Sequence, residues 1–539
     1  MTARPARWFA LIALTMAASF VVPGTAAATG GDGHGDRGGS RFTAGAPGAG
    51  DPYFPWSGNG GFDVQHYDLS LRYQPPTDPA VLVGRLDGRA TITLTATQNL
   101  DRFNLDLRGL DVSALSVGGQ RLREVPPPAA GAPARRAAYW QVQDDTARSW
   151  ELTVQPAQGI RKGQRTTVVV DYGGATGRPT DIEDALYGWV TTADGAMVVG
   201  EPEGTMTWYP VSDHPTDKAT YSFEITVPEG KTAVANGLQS RPAKTRAGWT
   251  TWYWNAADPQ ASYLTTASVG DFTLSFDRTP SGLPIVNAVD KDLKDTPEEP
   301  FRTATEASLA RQSDIIEFFG QRFGPYPFRS AGAIVDDDSV GYALESQTRP
   351  VYSEVADEAT VAHELAHQWF GNSVSPHRWS DIWLNEGWAT YAEWLWTEQQ
   401  GLPGPQENLS RIMKIPADDE FWTITVADPG PFAIFSVPIY DRGGATLVAL
   451  REKIGDRAFF AGTRLWLQRY RNGDASTDDF QPVFEKASRQ DLSGIFRHLG
   501  APAGEAGPVV TRGQLAVGSS VRPDASQACI PPSSSTTSV

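Results

Sequence analysis

The chain has 539 residues, 40% of them hydrophobic and 20% charged, and its formal net charge is −17. This composition is typical of a globular protein and excludes a largely disordered one, while the length predicts two to four domains. The acidic balance argues against nucleic acid as a partner, because phosphate binding requires a basic surface.

The first 28 residues have the pattern of a secretory signal peptide. Arg4 and Arg7 precede an uncharged, mostly apolar stretch at residues 8–22, and small residues at 26–28 suit a cleavage site. An uncleaved anchor is the alternative, but the apolar stretch is short for a bilayer span. We therefore expect a secreted, extracellular protein with no stable membrane span after signal cleavage.

Residues 29–50 are mostly Gly, Ala and polar residues, which predicts a flexible leader. Apolar residues then alternate with threonines from Ala90 to Thr97, the period of a half-buried strand. Similar runs lie at residues 67–73, 166–172 and 221–228. Turn signals lie at residues 118–119, 126–128, 173–174 and 236–237. We therefore predict an N-terminal β domain over 51–275.

The hydrophobic period becomes helical after about residue 298. One strand is predicted at 331–337, and helices are predicted around residues 355–371, 381–400, 443–453, 457–470 and 478–498. We therefore predict a mainly helical domain over 276–500, which makes the fold class α+β and multidomain. Residues 501–539 form a low-complexity tail, and the lone Cys529 within it cannot form an internal disulfide.

The segment VAHELAHQWFGN at 361–372 contains two candidate metal ligands and a candidate base. His363 and His367 are four residues apart, which on a helix places both imidazoles on one face where they can share a metal. Glu364 follows the first histidine and can act as a base toward water. Catalytic zinc usually has three protein ligands and an open position, and Glu386 in a second predicted helix is the candidate third ligand.

Two alternatives to this ligand set stay open. His377 is the nearest other histidine, although its place in the turn SPHRW suits a surface residue better than a site built from two helices. The pair His363 and His367 could also be structural. HExxH arises by chance in a chain of this composition on the order of once in 200, and a glutamate at one fixed later offset lowers that further.

HELAH followed by WLNEG, with 18 residues between His367 and Glu386, resembles the aminopeptidase N family of zinc peptidases. Further similar stretches are DPYFPWSGNGGFDVQHYDLSLRY at 51–73, EPEGTMTWYPVSDHPTDKATYSFEITVP at 201–228 and FGPYPF at 323–328. The resemblance covers roughly 51–499. It implies a saddle-like β-rich N-terminal domain, a thermolysin-like catalytic domain and one Zn²⁺ per chain. The chain resembles a short form without the family's C-terminal helical repeat domain, so we expect a more open site.

The resemblance also implies roles for three more residues. GYALESQ at 341–347 matches the family's GAMEN motif, with Glu345 at the acidic position that binds the substrate's α-amino group. Tyr342, Leu344 and Ser346 depart from that motif. The second anchoring acid matches Glu201, with Glu203 as the alternative. The tyrosine that stabilises the oxyanion matches Tyr440, and Tyr391 is a candidate by its position in the sequence.

We therefore expect a zinc-dependent aminopeptidase. Its substrates would be peptides with a free N-terminus, Glu364 and Tyr440 would be catalytic, and Glu345 and Glu201 would bind the substrate. The alternatives are a zinc endopeptidase or carboxypeptidase, another zinc hydrolase on the same scaffold, and an inactive binding module. The last usually lacks a metal ligand or the base, and this chain has all four residues.

Overall fold

The computed structural model describes residues 41–129, 136–297, 299–338 and 340–496. The predicted signal peptide, residues 29–40 of the predicted leader, the predicted tail and Cys529 lie outside these ranges.

Strands dominate the first half of the described chain. In chain order they are β1 (Thr43–Ala44), β2 (Phe62–Gln74), β3 (Gly84–Ala96), β4 (Leu100–Asp106), β5 (Asp111–Val117), β6 (Gln120–Arg121), β7 (Arg123–Glu124), β8 (Ala138–Asp144), β9 (Ser149–Gln155), β10 (Arg165–Thr176), β11 (Gly188–Thr191), β12 (Ala196–Val199), β13 (Ala219–Pro228), β14 (Thr232–Ala235), β15 (Leu238–Arg246), β16 (Trp249–Gln260), β17 (Ala267–Gly270), β18 (Phe272–Arg278), β19 (Pro284–Asp290), β20 (Ala331–Asp336), β21 (Val351–Ser353), β22 (Val374–Pro376) and β23 (Gly473–Ala475).

Helices dominate the second half. They are α1 (Phe301–Leu309), α2 (Gln312–Phe323), α3 (Glu358–His367), α4 (Trp383–Gln399), α5 (Pro405–Ile412), α6 (Val437–Arg469), α7 (Thr477–Ser488) and α8 (Ser493–Phe496). Short 3₁₀ turns lie at Thr205–Thr207, Ser262–Leu264, Trp379–Asp381 and Glu420–Trp422. A break at Gly455, where φ is +77°, interrupts α6 and separates the two helices predicted there.

The largest sheet has the order β15-β16-β13-β2-β3-β10-β5-β6. In β3 the side chains of Ala90, Ile92 and Leu94 are fully buried while the threonines between them are partly exposed, as the alternation predicts. Two further sheets, β1-β4-β9-β8-β7 and β11-β12-β17-β14, complete the β-rich part. The predicted α+β fold class is confirmed.

The turn predicted at 173–174 is wrong, because both glycines lie within β10. A Cβ on Gly173 would lie 2.8 Å from the Leu86 carbonyl oxygen and 2.6 Å from Asp87 Oδ1. Glycine is therefore present here because the neighbouring strand β3 lies too close for a side chain, not because the chain turns.

The predicted domain boundary at residue 275 falls inside a strand. β18 spans it and pairs with β19, which continues into β20 and β21 to give the sheet β18-β19-β20-β21. Alternate residues of this sheet enter two different hydrophobic cores: Ile334 packs into the core of the β-rich part, and Ala333 and Val335 pack into that of the helical part. Because the sheet contributes to both hydrophobic cores, it begins before the hydrophobic period of the sequence becomes helical, after about residue 298.

Part of the predicted flexible leader forms regular structure. Thr43 and Ala44 form β1 and pair in parallel with β4 through Leu100 and Arg102. Gly45 packs so closely on Gly60 that an added Cβ would lie 2.2 Å from the Gly60 carbonyl oxygen. The glycines here allow close backbone contact, so residues 43–45 pack against the β-rich part.

Candidate active site

Helix α3 carries the HELAH segment. Asp357 caps its N-terminus by accepting hydrogen bonds from the Ala359 and Thr360 amides, a common helix start. Val361, Ala362, Leu365 and Ala366 are fully buried in the helical core and fix one face of the helix. His363, Glu364 and His367 occupy the opposite face and line a cavity. The i, i+4 spacing thus brings the two imidazoles together, with ring centroids 4.8 Å apart.

Glu386 lies in the first turn of α4, which packs against α3. Its Oε2 is 3.2 Å from His363 Nε2 and 3.4 Å from His367 Nε2. Burial raises the pKa of Glu386, but the imidazole charges outweigh burial and hold the pKa below its ordinary value. The structure therefore brings together the three side chains predicted as metal ligands.

The other ring nitrogens of the two histidines are also engaged. His363 Nδ1 is 3.3 Å from Glu393 Oε2, and His367 Nδ1 is 3.1 Å from the Phe370 carbonyl oxygen. An acceptor at Nδ1 places the proton there and leaves Nε2 free to bind a metal. Neither Glu393 nor Phe370 was predicted as part of the site. Glu393 lies seven residues beyond Glu386 on the same predicted helix, a spacing that does not by itself distinguish it from other helical glutamates.

Two imidazoles and one carboxylate are a donor set that catalytic zinc takes. One ligand atom from each of His363, His367 and Glu386 lies within 4.8 Å of the others. With both Nδ1 atoms occupied and both Nε2 atoms facing Glu386, the residues fit a zinc ion at this point.

Glu345 and Glu201 line the same cavity. The Glu345 carbonyl oxygen accepts hydrogen bonds from Gln368 Nε2 (3.1 Å) and Asn372 Nδ2 (2.7 Å), which tie its backbone to the end of α3. Glu345 Oε1, Glu201 Oε1 and Glu364 Oε2 are buried and have no hydrogen-bond partner among the described residues. Unpartnered buried carboxylate oxygens on residues that line a cavity indicate that a cationic or proton-donating ligand belongs there.

The raised pKa values of these acids also indicate a cationic ligand. Burial raises the pKa of Glu201 well above its ordinary value, and the charge of Glu345 adds to the effect. Burial likewise raises the pKa of Glu345, and it raises that of Glu364 to about 7. A cation between Glu201 and Glu345 would relieve their mutual repulsion.

Tyr440 lies in the first turn of α6 and lines the cavity beside His363, with ring centroids 6.0 Å apart. Burial raises the pKa of its hydroxyl well above the ordinary value, so the group stays protonated and able to donate. α6 is held against α4 by a close glycine contact: an added Cβ on Gly443 would lie 2.7 Å from the Gly387 Cα.

The alternative residues lie elsewhere or are already paired. His377 is half exposed and its Nδ1 is 2.6 Å from Asp474 Oδ1. Glu203 forms an ion pair of 2.7 Å with Arg148. The Tyr391 hydroxyl accepts a hydrogen bond from Arg451. None of the three alternative residues is part of the cavity that His363 lines.

The cavity has a volume of about 380 Å³. Its lining residues are Asp181, Glu183, Ala185, Glu201, Tyr342, Ala343, Glu345, Thr360, His363, Glu364, His367, Glu386, Phe435 and Tyr440. Of the residues that depart from the GAMEN pattern, Tyr342 lines the cavity and donates from its hydroxyl to the Leu186 carbonyl oxygen (2.7 Å). Leu344 is buried in the β-rich core, and Ser346 is buried as well.

Residues 64–264 match the Peptidase M1 N-terminal domain and residues 339–499 match the Peptidase family M1 domain. Among curated proteins, glutamyl aminopeptidase from Homo sapiens is 27% identical over 332 residues, which are 56% of this chain and 34% of the relative. Aminopeptidase N from Streptomyces lividans is 27% identical over 322 residues, or 52% of this chain and 35% of the relative. The chain thus spans about a third of the length of these relatives.

Solved structures match over almost their full length. An M1 zinc metallopeptidase from Deinococcus radiodurans superposes with a TM-score of 0.68 and 28% identity, covering 82% of this chain and 94% of the other. A mutant of that protein bound to a Tyr-Ser-Ala substrate also has a TM-score of 0.68 and 28% identity, covering 87% of this chain and 97% of the other.

Proposed function

The chain belongs to peptidase family M1, a family of zinc metallopeptidases, and on that premise we propose that it is an aminopeptidase that removes N-terminal residues from peptides. The observation that carries the proposal is the placement of two buried acids, Glu201 and Glu345, in one cavity with the His363, His367 and Glu386 cluster. A peptidase that cleaves inside a chain has no need of two unpartnered carboxylates beside its metal site. A free α-ammonium group supplies the missing partner.

His363, His367 and Glu386 would hold the zinc ion. Bound there, zinc supplies a Lewis acid that polarises the scissile carbonyl and makes water more acidic. Glu393 and the Phe370 carbonyl keep the two imidazoles in the tautomer that leaves Nε2 free.

Glu364 moves the proton. Burial raises the pKa of its carboxyl to about 7, near neutral pH, which suits a group that must both accept and release a proton. Glu364 Oε2 has no partner among the described residues, so it is available to take a proton from the attacking water and pass it to the leaving amine.

The remaining groups position the substrate. Glu201 and Glu345 accept hydrogen bonds from the α-ammonium and so place the first peptide bond at the reaction centre. The protonated Tyr440 hydroxyl donates to the oxygen that becomes negatively charged, and removing one such donor typically lowers turnover by ~10²–10³.

Secretion is a further part of the proposal. It rests on the signal-peptide pattern of residues 1–28. Among the residues that the structure describes, no helix is sufficiently long and apolar to cross a membrane. N-terminal sequencing of protein recovered from the medium of an expressing culture tests the proposal, and protein retained in the cells with residues 1–28 intact would contradict it.

The function is tested with aminoacyl-p-nitroanilides and their N-acetylated counterparts, before and after metal removal and restoration. The proposal expects hydrolysis of the free amines only, lost with the metal and regained with zinc, and abolished by Glu364→Gln. Hydrolysis of acetylated substrates would contradict the roles of Glu201 and Glu345. Activity that survives complete chelation would contradict the metal site.

A further inference from the structure

The cavity carries two more acids than the proposed reaction uses. Glu201, Glu345, Glu364 and Glu386 bind the α-ammonium, the proton and the metal, whereas Asp181 and Glu183 have no role in that chemistry. No lysine or arginine is among the described residues that line the cavity. Two negative charges therefore face the substrate without a cation from the protein.

Asp181 is held rigidly by its own loop. Its Oδ1 accepts hydrogen bonds from the amides of Glu183 (2.8 Å) and Ala185 (2.9 Å), and its own amide donates to the Ala185 carbonyl oxygen. Only 9% of Asp181 is exposed. Its Oδ2 accepts no hydrogen bond from any residue that the structure describes, so one oxygen fixes the loop and the other is free for a ligand.

The loop lies on the ammonium-binding side of the cavity. The Tyr342 hydroxyl donates to the Leu186 carbonyl oxygen, which ties the loop to the segment that carries Glu345. Tyr342 lines the same cavity as Glu201 and Asp181. A side chain that leaves the α-carbon of the first residue next to Glu201 can therefore run along Tyr342 toward Asp181.

The arginines around this loop have other partners, and Arg178, three residues before Asp181, donates to the Thr191 carbonyl oxygen and pairs with Asp338. Arg148 pairs with Glu203, and Arg108 donates to the Thr180 carbonyl oxygen and the Tyr187 hydroxyl. None of these arginines lines the cavity, so none is placed to bind the free Asp181 oxygen.

We propose that Asp181, with Glu183 beside it, binds the cationic side chain of an arginine or lysine at the first position of the substrate. The inference rests on the aminopeptidase function proposed above. The aliphatic part of such a side chain packs on Tyr342, and its charged end reaches the carboxylates, as long basic side chains commonly do. The enzyme thus prefers peptides that begin with a basic residue.

The test compares kcat/KM for the p-nitroanilides of arginine and citrulline, which have nearly the same shape but differ in charge. The full-length zinc-loaded protein is expected to prefer arginine by about tenfold or more, the contribution of one charged hydrogen bond. Asp181→Asn keeps the Oδ1 acceptor that fixes the loop and removes the charge, and is expected to lower the arginine-to-citrulline ratio about tenfold.

Asp184→Asn is the matched control. Asp184 is an exposed acid of the same loop, does not line the cavity, and has φ +63°, a conformation that asparagine tolerates. Its arginine-to-citrulline ratio is expected to equal that of the wild type. Glu183→Gln changes an exposed side chain and leaves in place the Asp181 hydrogen bonds that fix the loop. This second variant is also expected to lower the arginine-to-citrulline ratio.

The outcomes separate the two proposals. Turnover of free-amine substrates with a wild-type ratio near one, or a ratio that Asp181→Asn leaves unchanged, overturns the basic preference and leaves the aminopeptidase standing. Absence of turnover for every free-amine substrate overturns both.

Discussion

Glu393 lies on α4 about two turns beyond Glu386, and its Oε2 is 3.3 Å from His363 Nδ1. A carboxylate in this place fixes the imidazole tautomer and makes the opposite nitrogen a stronger ligand. Replacing it by glutamine keeps a hydrogen-bond acceptor but removes the charge. We therefore expect Glu393→Gln to weaken zinc binding without destroying the fold.

The expected magnitude follows from the exposure of the pair. Loss of such an outer partner typically lowers metal affinity 10–100-fold. The Glu393 side chain is 28% exposed, so solvent screens part of its charge and the lower end of that range applies. Glu393→Gln should therefore raise the zinc dissociation constant about tenfold.

The assay is a competition titration of the metal-free protein against a chromophoric zinc chelator, which measures binding without turnover. Glu398→Gln is the control, because Glu398 is an exposed acid on the same helix. It should bind zinc as the wild type does. A dissociation constant for Glu393→Gln within about twofold of the control would refute the argument that this carboxylate orients His363.

Three other predictions concern the anchor, the helix contact and a buried acid. Glu345→Gln should lower kcat/KM for free-amine substrates about 10–100-fold, because one charged hydrogen bond to the ammonium is lost; an unchanged value would contradict its role. Gly443→Ala should lower the free energy of unfolding in urea by about 1–3 kcal/mol, since its Cβ would lie 2.7 Å from Gly387 Cα, whereas Gly320→Ala, in an open helical position, should not. Burial raises the pKa of Asp217 from 3.8 to about 7, so its contribution to stability is complete below about pH 4 and is lost as the pH rises through 7. From about pH 5 to about pH 8, the free energy of unfolding of the wild type in urea should therefore fall by on the order of 2 kcal/mol relative to that of Asp217→Asn. A difference between the two proteins that does not change with pH would contradict the raised pKa.

The sequence predicted the parts of the site that depend on local spacing. His363 and His367 meet because residues four apart share a helix face, which requires no knowledge of the tertiary structure. Glu386 could be placed only by its helical context and by the family resemblance. The roles assigned to the predicted catalytic and binding residues stay predictions until the experiments above are made.

Residues that act through tertiary contacts were not predictable in this way. Glu393 reaches His363 only after α4 packs on α3, and on the sequence it resembles any helical glutamate. Gly443 has no sequence signal of its own, because its close contact with Gly387 joins segments more than 50 residues apart. Asp181 and Glu183 have no sequence signal of their own, since loop residues carry no periodic pattern.

The error at residues 173–174 has a related cause. Gly173 was interpreted as a turn residue because glycine favours turns, but it is required by the approach of a neighbouring strand. The predicted boundary at 275 falls within β18, which belongs to the sheet β18 to β21 with a core on each face.

The most direct test of the central claim is mass spectrometry of a defined peptide of about ten residues after incubation with the purified zinc-loaded protein, beside its N-acetylated form. The account predicts stepwise loss of single residues from the free N-terminus, no change in the acetylated peptide, and no products from Glu364→Gln. Internal fragments, or equal degradation of the acetylated peptide, would contradict an aminopeptidase anchored by Glu201 and Glu345.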